Sequence, residues 1–137
     1  MIEIINRQKK YKIKKNRFKD LLERLVDQYQ LDSPEITLAF VNNRTTQELN
    51  RKFLNKNAPT DVLSFPIREK GADEKYYLGD IIISVQKALD QSSVENHSLE
   101  RELEILIIHG FLHLMGFEHS KGLEREEAKI RNLMLEG

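Results

Sequence analysis

The sequence predicts an α+β protein in which one small mixed β-sheet is packed by helices, one of them buried at the centre. Segments rich in β-branched residues alternate irregularly with segments whose apolar residues recur every three or four positions, which favours this class over a regular βαβ series. Hydrophobic side chains make up 39% of the 137 residues, enough for a core at this length. No repeat, low-complexity tract or Pro/Gly/Ser-rich linker interrupts the chain. We therefore expect residues 1–137 to form one domain.

The first half of the chain is predicted to contain two strands and two helices. Apolar residues at helical spacing indicate the first long helix, and they are Phe18, Leu21, Leu22, Leu25, Val26 and Tyr29. Thr45 followed three residues later by Glu48 is typical of a capping box at the start of a short helix. The predicted elements are a strand over 2–6, a helix over 16–30, a strand over 36–41 and a helix over 46–54.

The second half is predicted to add two strands and three helices. Pro66 lies near the end of the third strand and restricts it to a sheet edge or a bulge. Ser98 is a suitable N-cap for a nearly all-apolar helix, and Gly116 stands where a glycine commonly ends one. The predicted elements are strands over 61–67 and 78–85 and helices over 86–91, 98–115 and 122–135.

The composition excludes several classes of function. Without cysteine, the chain has no disulfides, thiolate metal sites or cysteine nucleophiles, so any metal must be held by histidines or carboxylates. The apolar runs are far shorter than the roughly 20 residues of a membrane span, and the amino-terminal residues lack a signal-peptide core. No glycine-rich dinucleotide or phosphate motif is present. We expect a cytoplasmic protein with no membrane partner and no dinucleotide cofactor.

The net charge of zero conceals an uneven distribution along the chain. Residues 1–24 contain nine basic and three acidic side chains, whereas residues 90–137 contain five basic and ten acidic ones. A basic segment of this kind can contact phosphates, but it is equally well explained as a solvated helix face.

Three of the four histidines fall within eleven positions, in the segment HGFLHLMGFEH at 109–119. On a helix, His109 and His113 share one side because they are four residues apart. Gly116 can adopt the left-handed conformation that reverses the backbone, so that His119 approaches the same point. Three imidazoles with a fourth position left for water are typical of a catalytic zinc site. The sequence therefore predicts one Zn²⁺ per chain held by His109, His113 and His119.

The histidine pattern has alternatives. Three core histidines would each need a polar partner in a helix that offers few. The spacing also matches the zinc peptidase pattern H-E-x-x-H-x-x-G-x-x-H, but Gly110 occupies the position of the glutamate that acts there as general base. Glu118, beside the third histidine, is the nearest carboxylate for such a role. Asp61 and Asp80 lie within apolar strands and are either acceptors that orient a metal-binding histidine or local strand-end contacts.

With these histidines and the segments around them, the sequence resembles the YbeY family of bacterial endoribonucleases that act in rRNA maturation. The matching segments are HGFLHLMGFEH at 109–119, PTDVLSFP at 59–66, LGDIIIS at 78–84 and the HSLERE that precedes the histidine helix. The resemblance implies a compact α+β domain in which the buried central helix carries two of three zinc ligands. It also implies that the substrate is single-stranded RNA, notably the 3′ end of small-subunit rRNA during ribosome maturation and quality control.

Two positions depart from the family pattern. Glu118 stands where the family usually has Asp, and it remains our candidate general base. Leu54 stands where the resemblance leads us to expect an Arg that holds RNA phosphate. Arg51 is our candidate catalytic replacement, and Lys52 and Lys56 are candidate RNA-binding residues.

Three functions remain open from the sequence. The first is a metal-dependent endoribonuclease that acts with the small ribosomal subunit. The second is a zinc peptidase or another small hydrolase, which Gly110 disfavours. The third is a ribosome-assembly binding protein in which zinc is structural, an alternative that Leu54 supports.

Overall fold

The computed structural model describes residues 1–135 and, at Lys121, the backbone only. Its elements are β1 (Ile2–Asn6), α1 (Lys15–Gln28), β2 (Glu35–Val41), α2 (Asn43–Leu54), β3 (Val62–Lys70), β4 (Tyr76–Ser84), α3 (Val85–Glu95), α4 (Leu99–Leu114), a 3-10 turn (His119–Lys121) and α5 (Leu123–Leu135). None of the helices within 1–135 is both long and apolar enough to cross a membrane.

The four strands form one mixed sheet in the order β1-β2-β4-β3. The first three strands in this order are parallel, and β3 pairs antiparallel with β4. β3 is therefore an edge strand. This arrangement confirms the predicted α+β class and its small mixed sheet.

The two faces of the sheet carry different helices. Ser64 on β3 donates a hydrogen bond to the carbonyl oxygen of Gly110 on α4, at 3.2 Å, so Ser64 points towards α4. Because successive side chains alternate between faces, Phe65 points to the opposite side. There the ring of Phe65 contacts Phe53 of α2. The sheet edge at β3 is thus enclosed by α4 on one face and by α2 on the other.

The hydrophobic core lies between one face of the sheet and the helices α1 and α4 that pack on it. Its largest fully buried side chains include Phe18, Leu38, Phe40, Ile81, Ile107 and Phe111. Ten of the sixteen residues of α4 are buried, which confirms the predicted central helix. The histidines of this helix are held by a backbone that packing leaves little freedom to move.

Three predicted boundaries were wrong by three residues or more, and the others lie within two residues of those observed. α2 begins at Asn43, because the side chain of Asn42 caps it by accepting from the backbone N–H of Thr45 at 3.0 Å, so that Thr45 lies inside the first turn. α3 continues to Glu95 rather than 91. β3 continues past Pro66 to Lys70, with a register irregularity between Pro66 and Glu69. An edge strand tolerates this proline because its missing N–H faces away from β4.

Candidate metal centre

His109 and His113 lie side by side on α4. Ser98 starts this helix by accepting from the backbone N–H of Arg101, and Gly116, with φ +97°, follows its end. The two Nε2 atoms are 3.1 Å apart and the ring centroids 4.6 Å apart. Both rings are partly buried. The predicted pairing of these histidines on one helix face is confirmed by this contact.

His119 returns towards the pair after the chain reverses. The reversal is held by hydrogen bonds from the backbone N–H of Gly116 to His113 and from that of Phe117 to Leu112, each 3.0 Å. The ring centroid of His119 is 6.5 Å from that of His113, and its side chain is 77% exposed. The third histidine is therefore near the pair but more loosely held.

Two glutamates of α5 contact the histidines, and the sequence analysis did not identify either. The Nδ1 atom of His109 is 3.0 Å from Oε1 of Glu127. The Nδ1 atom of His119 is hydrogen-bonded to Glu124. α5 is fixed in place because Leu123 and Ile130 are buried in the core. The useful signal in the sequence is that Glu124 and Glu127 lie in the first turns of a helix that begins directly after the third histidine.

Asp61 and Asp80 do not occupy the orienting positions considered for them. The carboxylate of Asp61 accepts from the backbone N–H of Val62 at 2.7 Å and from the side chain of Gln91 at 3.1 Å, which is a strand-end role. Asp80 lies partly buried on β4, and burial raises the pKa of its carboxyl group. Among the described residues, the carboxylates that hydrogen-bond His109 and His119 come from α5 instead.

The surroundings of His109 and His113 shift the pKa values of these two side chains in opposite directions. The hydrogen bond that Nδ1 of His109 donates to Glu127 stabilises the charged form of His109 and raises its pKa, an effect larger than that of burial. Burial, together with the neighbouring His109 and His119, lowers the pKa of His113. This shift favours the neutral form of His113, which is the form that a metal ligand requires.

The three histidines suit a metal ion chemically, although His119 does not yet meet the other two around one point. In the described part of the chain, no group of three or more His, Asp or Glu side chains is arranged to hold a metal ion as it stands. Two nitrogen ligands about 2.0–2.1 Å from a tetrahedral zinc would be roughly 3.3 Å apart, close to the 3.1 Å between the Nε2 atoms of His109 and His113. With Nδ1 donating to Glu127, the neutral form of His109 has on Nε2 the lone pair that a metal needs. His119 is exposed enough to rotate without disturbing the core.

A groove of about 500 Å³ runs beside the histidines along the β3 edge. Its walls are Phe53 and Leu54 of α2, residues 62–66 of β3, and His109, His113 and Glu118. Glu118 thus lies in the same groove as the histidine pair. Leu54, the position that departs from the family pattern, is 51% exposed in this groove.

The basic residues selected from the sequence lie around the end of α2. Arg51 and Lys52 belong to its last turn, and Lys56 follows in the exposed loop. These three are absent from the described lining of the groove. Arg68, which the sequence analysis did not select, lies beside the turn at Gly116 that follows α4. A Cβ atom built on Gly116 would be 3.0 Å from Nη1 of Arg68.

Gly110 is required by packing. A Cβ atom at this position would lie 2.8 Å from Cγ2 of Ile81 and 3.2 Å from Oγ of Ser64. Position 110 therefore faces the sheet, and no carboxylate fits there without displacing α4. This is a structural reason for the missing general base of the peptidase pattern.

The sequence and the fold of this chain match those of known proteins. The family model described as Endoribonuclease YbeY matches residues 3–135. An Endoribonuclease YbeY from Oceanobacillus iheyensis is 44% identical over 124 residues, which are 81% of this chain and 79% of the relative. One from Geobacillus kaustophilus is 44% identical over 104 residues, and this alignment spans 70% of this chain but 65% of the relative.

A solved structure also matches. The solution structure of a protein from Thermotoga maritima superposes with a TM-score of 0.66 at 30% identity, covering 96% of this chain and 87% of that one. The fold described above is therefore shared with an experimentally determined structure.

Proposed function

Because the chain belongs to the YbeY family of endoribonucleases, we propose that it cleaves single-stranded RNA with one Zn²⁺ held by His109, His113 and His119. The proposed substrate is the 3′ end of small-subunit rRNA, cleaved during ribosome maturation and quality control in the cytoplasm. We propose that residues 1–137 act as one such domain, which the family match over 3–135 supports. The last two residues lie outside the described part of the chain.

The observation that carries this proposal is the pair of Nε2 atoms, 3.1 Å apart, on the wall of an open groove. An imidazole-only donor set without thiolate suits zinc, and three protein ligands leave one position for a reactant. When bound, the metal would polarise a phosphoryl oxygen and acidify water. Both histidines are only partly buried, so a reactant can reach them from the groove.

The chain's own side chains have distinct proposed roles. Glu127 holds His109 in the tautomer whose Nε2 atom faces the metal, and Glu124 acts similarly on His119. Glu118 is the proposed general base, which takes a proton at a carboxylate oxygen during attack on the phosphodiester. Its place in the lining of the groove supports this role.

We propose that basic side chains near Leu54 contact the RNA backbone. Arg51 is proposed to contact phosphate directly, since it lies one helical turn before Leu54 on α2. Lys52 and Lys56 are proposed to contribute to RNA binding as neighbouring charges. Leu54 itself offers neither charge nor a hydrogen bond, so this recognition is expected to be weaker than an arginine at position 54 would provide.

The peptidase alternative is less well supported, because position 110 faces Ile81 and Ser64 and cannot carry a carboxylate.

The remaining alternative is a ribosome-binding protein with structural zinc. It would bind zinc without cleaving RNA, so an assay of RNA cleavage separates it from the proposed function. Protein depleted of metal and reloaded with Zn²⁺ is incubated with a single-stranded and a duplex form of one RNA. We expect zinc-dependent cleavage of the single strand, lost in His113→Ala.

The matched control for this experiment is His97→Ala. His97 lies outside the groove and contacts Glu102 near the start of α4, so its loss should leave cleavage intact. Zinc binding without cleavage by the unmodified protein would instead support the structural-zinc alternative. Equal cleavage by the unmodified protein and His113→Ala would overturn the proposed metal-dependent mechanism.

A further inference from the structure

Phe53 is exposed in a way that core packing does not explain. It lies in the last turn of α2, and 55% of its surface is open to solvent. Its ring meets Phe65 at a centroid distance of 5.5 Å and an interplanar angle of 67°, and both rings line the groove that holds His109 and His113. We propose that Phe53 is the stacking platform for one nucleobase of the RNA strand, an inference that rests on the proposed endoribonuclease function.

The platform is held in a fixed position. The buried side chain of Asn50 donates to the carbonyl oxygen of Ala58 at 3.0 Å, which ties the end of α2 to the following loop. Gln47 donates to the side chain of Asn57 at 3.1 Å across the same loop. A ring on such a support loses little conformational freedom when a base stacks on it.

The charges around Phe53 match a nucleic acid strand. The Nζ atom of Lys52 lies 5.4 Å from the centre of the Phe53 ring, and Arg51 and Lys56 are nearby in the sequence. An apolar ring bordered by cations accommodates a flat base together with the phosphates on either side of it. An uncharged apolar peptide would gain nothing from those cations.

This platform would also contribute to selection of single strands. In a duplex the faces of each base are already stacked on their neighbours, whereas an unpaired base can turn out and stack on an aromatic side chain. Phe53 stands on the α2 wall of the groove and the histidines on the α4 wall. A base held on the first wall would direct its phosphate towards the second.

The absence of tryptophan from the chain permits a direct test. In Phe53→Trp the introduced indole is the sole tryptophan, and its fluorescence reports on stacking. We expect strong quenching by a short single-stranded oligoadenylate, recorded before cleavage, and much weaker quenching by its duplex with oligouridylate. Val94→Trp, at an exposed position of α3, is the matched control and should show no change.

A second pair of variants separates stacking from packing. Phe53→Leu retains apolar bulk without a ring, and we expect it to weaken oligoadenylate binding by about 5–100-fold while Phe53→Trp binds as tightly as the unmodified chain. KM should rise more than kcat falls. Equal binding by Phe53→Leu and Phe53→Trp, with no quenching of the latter by RNA, would overturn the proposal.

The remaining outcomes are also informative. Quenching that depends on protein concentration alone would show that Phe53 contacts a second copy of the chain, against the proposal. Zinc-dependent cleavage without quenching would reject the platform and leave the proposed function intact. Quenching without cleavage would support the platform and reject the enzymatic role.

Discussion

His109 and Glu127, eighteen residues apart in the chain, are joined by a hydrogen bond of 3.0 Å between Nδ1 and Oε1. The contact links α4 to α5 at the point where the proposed metal centre lies. An ionised carboxylate can only accept, so Nδ1 of His109 carries a proton, and in the neutral imidazole the lone pair is then on Nε2. The final helix therefore has a function in the site besides closing the core.

Removing this carboxylate should weaken metal binding. We expect Glu127→Ala to raise the dissociation constant for Zn²⁺ by about 10–100-fold, as for other residues that orient a metal-binding histidine. Competition with a chromogenic chelator measures this directly. Glu95→Ala removes a carboxylate at the exposed end of α3 and should leave affinity unchanged. Equal affinities for both variants would mean that Glu127 does not orient His109.

Gly110→Ala should destabilise the fold. The added methyl group would lie 2.8 Å from Ile81, and overpacking of this kind costs about 1–3 kcal/mol. Glycine to alanine within a helix ordinarily stabilises by roughly 0.5–1 kcal/mol, so the sign of the change is diagnostic. Urea unfolding measures it. A gain in the free energy of unfolding would show that α4 packs less closely on the sheet than described.

Asp80→Asn should stabilise the chain at neutral pH. Burial raises the pKa of the Asp80 carboxyl group, so the folded chain binds a proton there more readily than the unfolded chain. Stability is therefore lost as pH rises from the ordinary carboxyl pKa of about 4 through the raised folded value. We expect a thermal midpoint a few degrees higher for Asp80→Asn at neutral pH, with the difference disappearing below about pH 4.

Asp73→Asn is the matched comparison, because the hydroxyl of Tyr77 and the backbone N–H of Lys75 lower the pKa of Asp73. The ionised Asp73 carboxylate therefore stabilises the fold above its pKa in the unfolded chain, and this stabilisation is lost as pH falls through its lower pKa in the folded chain. This variant should therefore lower the midpoint at neutral pH. A higher midpoint for Asp73→Asn, or a lower one for Asp80→Asn, would contradict these assignments.

Leu54→Arg should strengthen recognition of RNA. Position 54 is exposed in the groove beside the histidines, and an arginine there can bind phosphate with two hydrogen bonds. We expect higher cleavage activity, unchanged zinc content, and a salt dependence of RNA binding steeper by about 0.7 in log–log slope. Val94→Arg adds the same charge on α3 and should do none of this. Identical behaviour of the two variants would place phosphate recognition elsewhere.

Much of this structure follows from local patterns in the sequence. The periodicity around Phe18 and the apolar run before Gly116 were sufficient for α1 and α4, and the pairing of His109 with His113 requires only helical spacing. The beginning of α2 was misplaced because Asn42 competes with Thr45 for the capping position. The carboxylates beside the histidines could not be assigned, since Glu127 meets His109 only after α5 packs on the core. Which wall of the groove carries Phe53 likewise depends on how α2 crosses the sheet.

The central claim is that His109, His113 and His119 together hold one metal ion. The most direct measurement is the zinc content and zinc affinity of the purified chain and of the three single alanine variants, with His97→Ala as control. We expect about one zinc per chain, retained in His97→Ala, and affinity reduced by more than about 100-fold in each of the other three. Full zinc content and affinity in His119→Ala would remove this residue from the ligand set. The same result in His113→Ala would contradict the metal centre itself.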